Sequence, residues 1–149
     1  MYAGTPPLEI PRRILNAMVT HCLQEAPSEA CGILAGAHQP LVEAFYPLRN
    51  ELASRTRYNA DPGDLIAAIQ SMRSHSLGML AIYHSHPDTV AVPSRVDLEQ
   101  NHYGPLPRII ISLRTAVPEV RIWRLGAADF EELRWRLLSP SVESQGPRI

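Results

Sequence analysis

Met79-Leu-Ala-Ile-Tyr-His-Ser-His-Pro87 is the stretch on which the fold turns. Its first five residues are continuously apolar, follow Gly78 and are too few for a helix, which is the pattern of a central strand buried on both faces. The strand runs straight into His84 and His86. Side chains two apart in a strand project to one side, so both imidazoles can aim at a single point beyond the strand end. Seven residues then separate His86 from Ser94, enough for a loop to reverse, and Ser94 with Asp97 three positions on reads as the capping-box start of a short helix through about Asn101. That helix puts Ser94 and Asp97 one turn apart on the same face. Two neutral imidazoles and one carboxylate are the donor set of a catalytic zinc, which keeps a fourth tetrahedral position for water, whereas structural sites are closed by four protein ligands. Singly, each residue has an ordinary explanation, a chance His-x-His, an N-cap serine, a first-turn acid. Their joint spacing directly after a buried strand favours a metal site.

Outward from this strand the chain alternates short elements. After Pro11, apolar residues Ile14, Leu15, Met18, Val19, Cys22 and Leu23 recur at helical spacing until Pro27. Residues 29–36 and 41–48 read as neighbouring antiparallel strands, and residues 51–59 as a polar loop. Asp61 and Pro62 open a second helix whose apolar face is Leu65, Ile66, Ile69 and Met72. Residues 108–113 and 119–125 form a hairpin, and residues 133–137 alternate as a last strand, although 129–138 also fits a helix. Beyond Ser139 the composition turns to Ser, Pro, Gly and Gln, which reads as a flexible tail at 139–149 after a single domain at 1–138. Layering the two helices on a mixed sheet predicts a three-layer α/β/α domain with the metal site at the end of the central strand.

Composition narrows the function. The 149 residues are 45% hydrophobic and 19% charged, as expected of one folded globular domain. Fourteen Lys and Arg against 15 Asp and Glu give a net charge of −1, so no basic field is available for nucleic acid. The first 13 residues carry prolines and charges where a signal peptide needs an apolar run, and no stretch approaches the roughly 18 apolar residues of a membrane span, so the reading is cytoplasmic, without a membrane partner. Cys22 and Cys31 lack CxxC spacing and read as buried thiols of a reducing compartment. His21, His38, His75 and His102 lack partner spacing, and only His102 falls near the short helix.

The pattern His84-x-His86, seven residues, Ser94, two residues, Asp97, with Glu29 upstream, resembles that of the JAMM (MPN-plus) metallopeptidases. The segment Pro27-Ser-Glu-Ala-Cys-Gly-Ile-Leu-Ala-Gly36, together with Asn50 and Arg57-Tyr-Asn-Ala-Asp-Pro62, is similar to the short stand-alone prokaryotic members, so the resemblance extends over about residues 8–137. It implies the JAMM/MPN, cytidine-deaminase-like α/β/α fold. It also implies His84, His86 and Asp97 as ligands of one zinc per chain with a water in the fourth position, Glu29 as general acid/base, and Ser94 as donor to the developing oxyanion. The implied activity is a zinc-dependent peptidase or isopeptidase cutting the bond after the C-terminal Gly-Gly of a ubiquitin-like or sulfur-carrier protein, releasing cysteine from a carrier adduct or trimming the carrier. Independently, a non-ligand carboxylate preceding an apolar strand suits proton transfer, since partial burial raises its pKa.

Three other readings compete. A non-catalytic MPN-type interaction scaffold would have no need of the intact motif. A DNA-associated relative of the RadC type carries a similar His-x-His-Pro, but the near-neutral charge points away from it. A zinc deaminase needs Pro-Cys-x-x-Cys, which neither cysteine provides.

Overall fold

The computed structural model describes residues 6–139; of the expected tail at 139–149, all but Ser139 lies outside them. The elements in chain order are β1 (Leu8–Pro11), α1 (Arg12–Glu25), β2 (Cys31–Gly36), β3 (Ala44–Leu48), α2 (Pro62–Ser74) and β4 (Gly78–His86). They continue with α3 (Arg95–Glu99), β5 (Arg108–Ser112), β6 (Glu119–Leu125), β7 (Phe130–Leu133) and β8 (Trp135–Leu138). Six strands form one sheet in the order β3-β2-β4-β5-β6-β7, and β1 pairs with β8 in a separate two-stranded parallel sheet. The large sheet is mixed: β4 and β5 are parallel, and every other pair in it is antiparallel.

Period-two alternation divides the core. On one face, Leu34, Ala81, Tyr83, Ile109 and Ile111 pack against Ile14, Met18 and Cys22 of α1. On the other, Cys31, Ile33 and Ala35 meet Ala68 and Met72 of α2, while Ile110, Trp123 and Leu125 pack with Ala91, with Leu98 of α3 partly buried beside them. The predicted three-layer α/β/α arrangement with a mixed sheet is what the chain adopts.

Several boundaries differ, each for a local reason. Residues 8–11 form a strand where none was predicted, because β1 is stabilised by distant β8 rather than by a local hairpin. The strand expected from Glu29 begins at Cys31, and that expected over 41–48 shortens to Ala44–Leu48. The short helix stops at Glu99. The α2 face is narrower than predicted: Ala68 and Met72 are buried, Leu65 is partly so, but Ile66 and Ile69 are 56% and 37% exposed, because they lie to the side of the strip that touches the sheet. The last predicted strand is indeed extended but breaks at Arg134, so β7 completes the large sheet and β8 leaves it to pair with β1.

Gly32 of β2 lies directly opposite Tyr83 of β4, and a Cβ there would fall well inside van der Waals contact with the Tyr83 ring. The ring has little room to yield, since its hydroxyl bonds His21 Nδ1 at 2.7 Å and its plane stacks on Phe45. Overpacking of this kind costs about 1–3 kcal/mol, or several degrees in Tm for a chain of this size. Gly32→Ala is therefore expected to lower Tm by about 4–10 °C, and by much less in a Tyr83→Leu background. A thermal double-mutant cycle measures this, and equal losses in both backgrounds would refute the contact.

Candidate metal centre

The end of β4 carries His84 and His86 on one face, and α3 brings Asp97 to meet them. His84 Nε2 lies 3.2 Å from His86 Nε2 and 3.1 Å from Asp97 Oδ1, and His86 Nε2 lies 3.0 Å from Asp97 Oδ2. All three side chains are buried, and their donor atoms form the one His/Cys/Asp/Glu cluster of metal-binding geometry among the described residues. Tetrahedral zinc with bonds near 2.0–2.1 Å sets its donors about 3.3 Å apart, close to these separations.

The hydrogen bonding tests the fit more sharply. His86 Nδ1 lies 2.8 Å from the Val90 carbonyl, and since a carbonyl only accepts, Nδ1 carries a proton and donates it. In the neutral ring Nε2 is then a bare lone pair facing a carboxylate oxygen and a second imidazole nitrogen. Lone pairs held this close need a cation among them, a proton or a metal ion. Without metal the proton plays that part: burial opposes it, yet the Asp97 and Val90 hydrogen bonds prevail and hold the His86 pKa above its ordinary value. Burial likewise acts to raise the Asp97 pKa, but His84, His86 and the Ser94 N–H outweigh it and keep the carboxyl well below the usual range. For His84 burial wins and the pKa falls. Its ring stacks on Tyr58 at 4.8 Å between centroids.

Ser94 caps α3 as predicted. Its Oγ accepts the Asp97 N–H at 3.1 Å while its own N–H donates to Asp97 Oδ2 at 2.9 Å, so one carboxylate both closes the capping box and faces the histidines.

Glu29 precedes β2 and is clamped by its backbone. Its N–H donates to the Ser54 carbonyl at 2.7 Å, and its carbonyl accepts from Asn50 Nδ2 at 3.0 Å. The next residue, Ala30, is tied to β4 twice: its N–H donates to Ser85 Oγ and its carbonyl accepts the Ser85 N–H. The Glu29 side chain is buried, and its Oε1 has no hydrogen-bond partner. Burial pushes its pKa up to about 8; His86, which lowers it, and Asp97, which raises it, are the charges that bear on it. Cys31 sits across the sheet from His84 but donates its thiol to the Leu48 carbonyl, and burial pushes its pKa up to about 12, in keeping with a packed thiol.

Three residues gain importance beyond the sequence reading. The Asn50 side chain makes four hydrogen bonds, with Glu29, Arg57, Leu52 and Asn59, and so fastens the 50–59 loop against the site. Tyr58 and Arg108 line a cavity of about 330 Å³ that shares Asp97 with the metal cluster and also borders His102. No local motif marks Arg108, and the 57–62 stretch that contains Tyr58 assigns that residue no role, because the partners of both are remote in sequence. His21, which has no partner at local spacing in the sequence, meets Tyr83 Oη through Nδ1 and is partly buried.

The chain is similar to several known proteins. A "Probable TtuB-protein conjugate cleaving protease" of Thermus thermophilus is 42% identical over 94 residues, 62% of each chain. A "CysO-cysteine peptidase" of Mycobacterium tuberculosis is 38% identical over 87 residues, 58% of this chain and 60% of that one. The matched segment thus spans about three fifths of either relative. A solution structure of a protein from Desulfitobacterium hafniense superposes with a TM-score of 0.83 at 29% identity, covering 95% of this chain and 99% of that one. No helix among the described residues is long and apolar enough to cross a membrane. Residues 11–126 match the family of prokaryotic homologs of the JAB domain, and the chain belongs to that family.

Proposed function

We propose that this chain is a zinc-dependent peptidase that hydrolyses the bond after the C-terminal Gly-Gly of a ubiquitin-like or sulfur-carrier protein. The observation that carries the reading is an open set of three donors, His84, His86 and Asp97, with the unpartnered carboxylate of Glu29 held nearby. The names of the relatives, a conjugate-cleaving protease and a carrier–cysteine peptidase, support the substrate class. A glycine tail suits a site this buried, since it brings no side chains to clash.

Zinc held by His84, His86 and Asp97 would polarise the scissile carbonyl and acidify a water to near neutral pH. Glu29 is the group that accepts a proton from the attacking water as a new C–O bond forms and returns it to the leaving nitrogen as the C–N bond breaks. Ser94 Oγ already accepts the Asp97 N–H, so its own proton is left to donate to the carbonyl oxygen as charge develops there. Asn50 and Ser85 take no part in the chemistry but fix the backbone on either side of Glu29.

Metal analysis of purified protein is expected to find about one zinc per chain, sharply reduced in His84→Ala and Asp97→Ala, because two donors hold zinc poorly. Full occupancy in both variants would place the metal elsewhere. Glu29→Gln is expected to keep the zinc and lower kcat on a Gly-Gly-terminated carrier fusion by about 100-fold or more, with a milder loss in Ser94→Ala. A parent protein that binds zinc and carrier yet cleaves nothing would instead support an MPN-type scaffold.

The Glu29 pKa, raised from 4.5 to about 8, also makes a stability prediction for metal-stripped protein. Between those values folded Glu29 keeps a proton that the unfolded chain has lost, so the contribution of Glu29 to stability is greatest below pH 4.5 and declines as the pH rises to about 8. Glu29→Gln removes this slope. Its denaturant midpoint should exceed the parent's by a margin that grows from pH 5 to pH 8; a constant margin would refute the buried, proton-bearing Glu29.

A further inference from the structure

The cavity beside the metal cluster holds a cation with no counter-ion among the described residues. Arg108 opens β5 directly opposite Ile82, two residues before His84, and its side chain lies on the His84 face, as does that of Ile110. With strand spacings of 4.8 Å across and about 3.3 Å per residue along, its Cα lies about 8 Å from that of His84. The side chain is 1% exposed. Nη1 donates to Tyr58 Oη at 3.3 Å, Nη2 donates to Asn101 Oδ1, the Tyr103 ring lies 5.3 Å from the guanidinium carbon, and Nε has no partner. All these neighbours are neutral, and among the described residues no carboxylate lies within ion-pairing distance of Arg108.

A buried charge is costly unless paired, and a guanidinium is shaped to grip a carboxylate. Arg57 adds a second cation to the same wall. The acid that lines the cavity, Asp97, is already engaged by both histidines and by Ser94. Tyr58 accepts from Arg108, so its own hydroxyl proton remains available, and burial pushes its pKa further up, so the hydroxyl keeps that proton. Cation and hydroxyl together lack an anion, and the cavity has room for a small one.

Resting on the peptidase reading above, we infer that this cavity receives the α-carboxylate of the leaving group, with Arg108 as the specificity-determining residue. A leaving amine that is the α-amino group of a free amino acid carries its carboxylate two bonds from the scissile nitrogen, within the span between the metal cluster and Arg108. An isopeptide-linked lysine carries no such group near its ε-nitrogen. The chain is thereby selective for carrier–amino-acid adducts over carrier–protein isopeptides.

Two measurements test this separately from the peptidase reading. The zinc-loaded protein is assayed on a Gly-Gly carrier extended by one alanine with either a free carboxylate or a carboxamide. The free acid is expected to be cleaved with at least tenfold higher kcat/KM. Arg108→Gln should lose that preference, mainly through KM, while Arg108→Lys, which keeps the charge, should retain part of it. In parallel, L-alanine and L-alaninamide are titrated into ¹⁵N-labelled protein while the arginine Nε–H resonances are followed. Alanine is expected to shift the Arg108 signal saturably and alaninamide to leave it in place. Equal cleavage of both adducts overturns the inference and leaves the peptidase standing. No cleavage of either, with alanine still shifting Arg108, refutes the peptidase reading and keeps the anion pocket. An Arg108 signal that moves with neither probe overturns the pocket.

Discussion

Everything at the site depends on the register of β4 between its two neighbours. The strand is paired on both edges, antiparallel to β2 and parallel to β5, so Cys31 and Ile110 flank His84 and a slip of one residue would turn both imidazoles into the α1 core. Such a slip would also expel Tyr83 from that core, where its ring closes over Gly32 and its hydroxyl meets His21. The same alternation that aims the histidines to one side sends Ser85, between them, to the other. There it binds Ala30 through both backbone and hydroxyl and so sets the position of Glu29. The apolar packing of one face thus fixes the donor atoms of the other.

The loop after β4 is held by its acceptors. The successive carbonyls of Thr89, Val90 and Ala91 receive Ser112 Oγ, His86 Nδ1 and Trp123 Nε1, so three strands each fasten one residue of it. The middle bond also decides which His86 nitrogen is left to bind a metal, a task that a carbonyl performs as well as a carboxylate. Beyond the loop, α3 is only five residues long, far below the length at which a helix is stable alone. Its reciprocal cap and the packing of Leu98 hold it, and the capping carboxylate is Asp97 itself. A helix that needs this cap to form presents the third donor whenever it is folded.

This economy explains what the sequence could and could not disclose. His84, His86, Ser94 and Asp97 were legible because strand alternation and helix capping are local rules, and both kept their registers. Hairpin β5–β6 and the layering followed from periodicity for the same reason. Local rules failed where a distant partner decides. The four-residue β1 exists because β8 lies beside it, and Ile66 and Ile69 satisfy helical periodicity yet remain exposed because periodicity does not say how wide a strip the sheet covers. Tyr58 and Arg108 are 50 residues apart and meet at the site because the 50–59 loop is knotted by Asn50 to the strand end that carries Glu29. Their chemistry depends on each other, not on any motif.

The charge distribution gives the cavity its meaning. A net charge of −1 excludes long-range steering of a polyanion, and surface arginines such as Arg55, Arg121 and Arg124 are spent on Asp88, Glu132 and Glu131. Arg108, by contrast, is buried and has no carboxylate partner among the described residues, and at such a site low polarity strengthens any interaction with an arriving anion and salt screens it least. On the reading proposed above, selection of a carboxylate there would work by contact once a carrier has docked, rather than by attraction from a distance. On the same reading it would work beside the reacting bond, where pairing Arg108 with the leaving group would fix the scissile nitrogen relative to Glu29, so that recognition and proton delivery call on the same geometry.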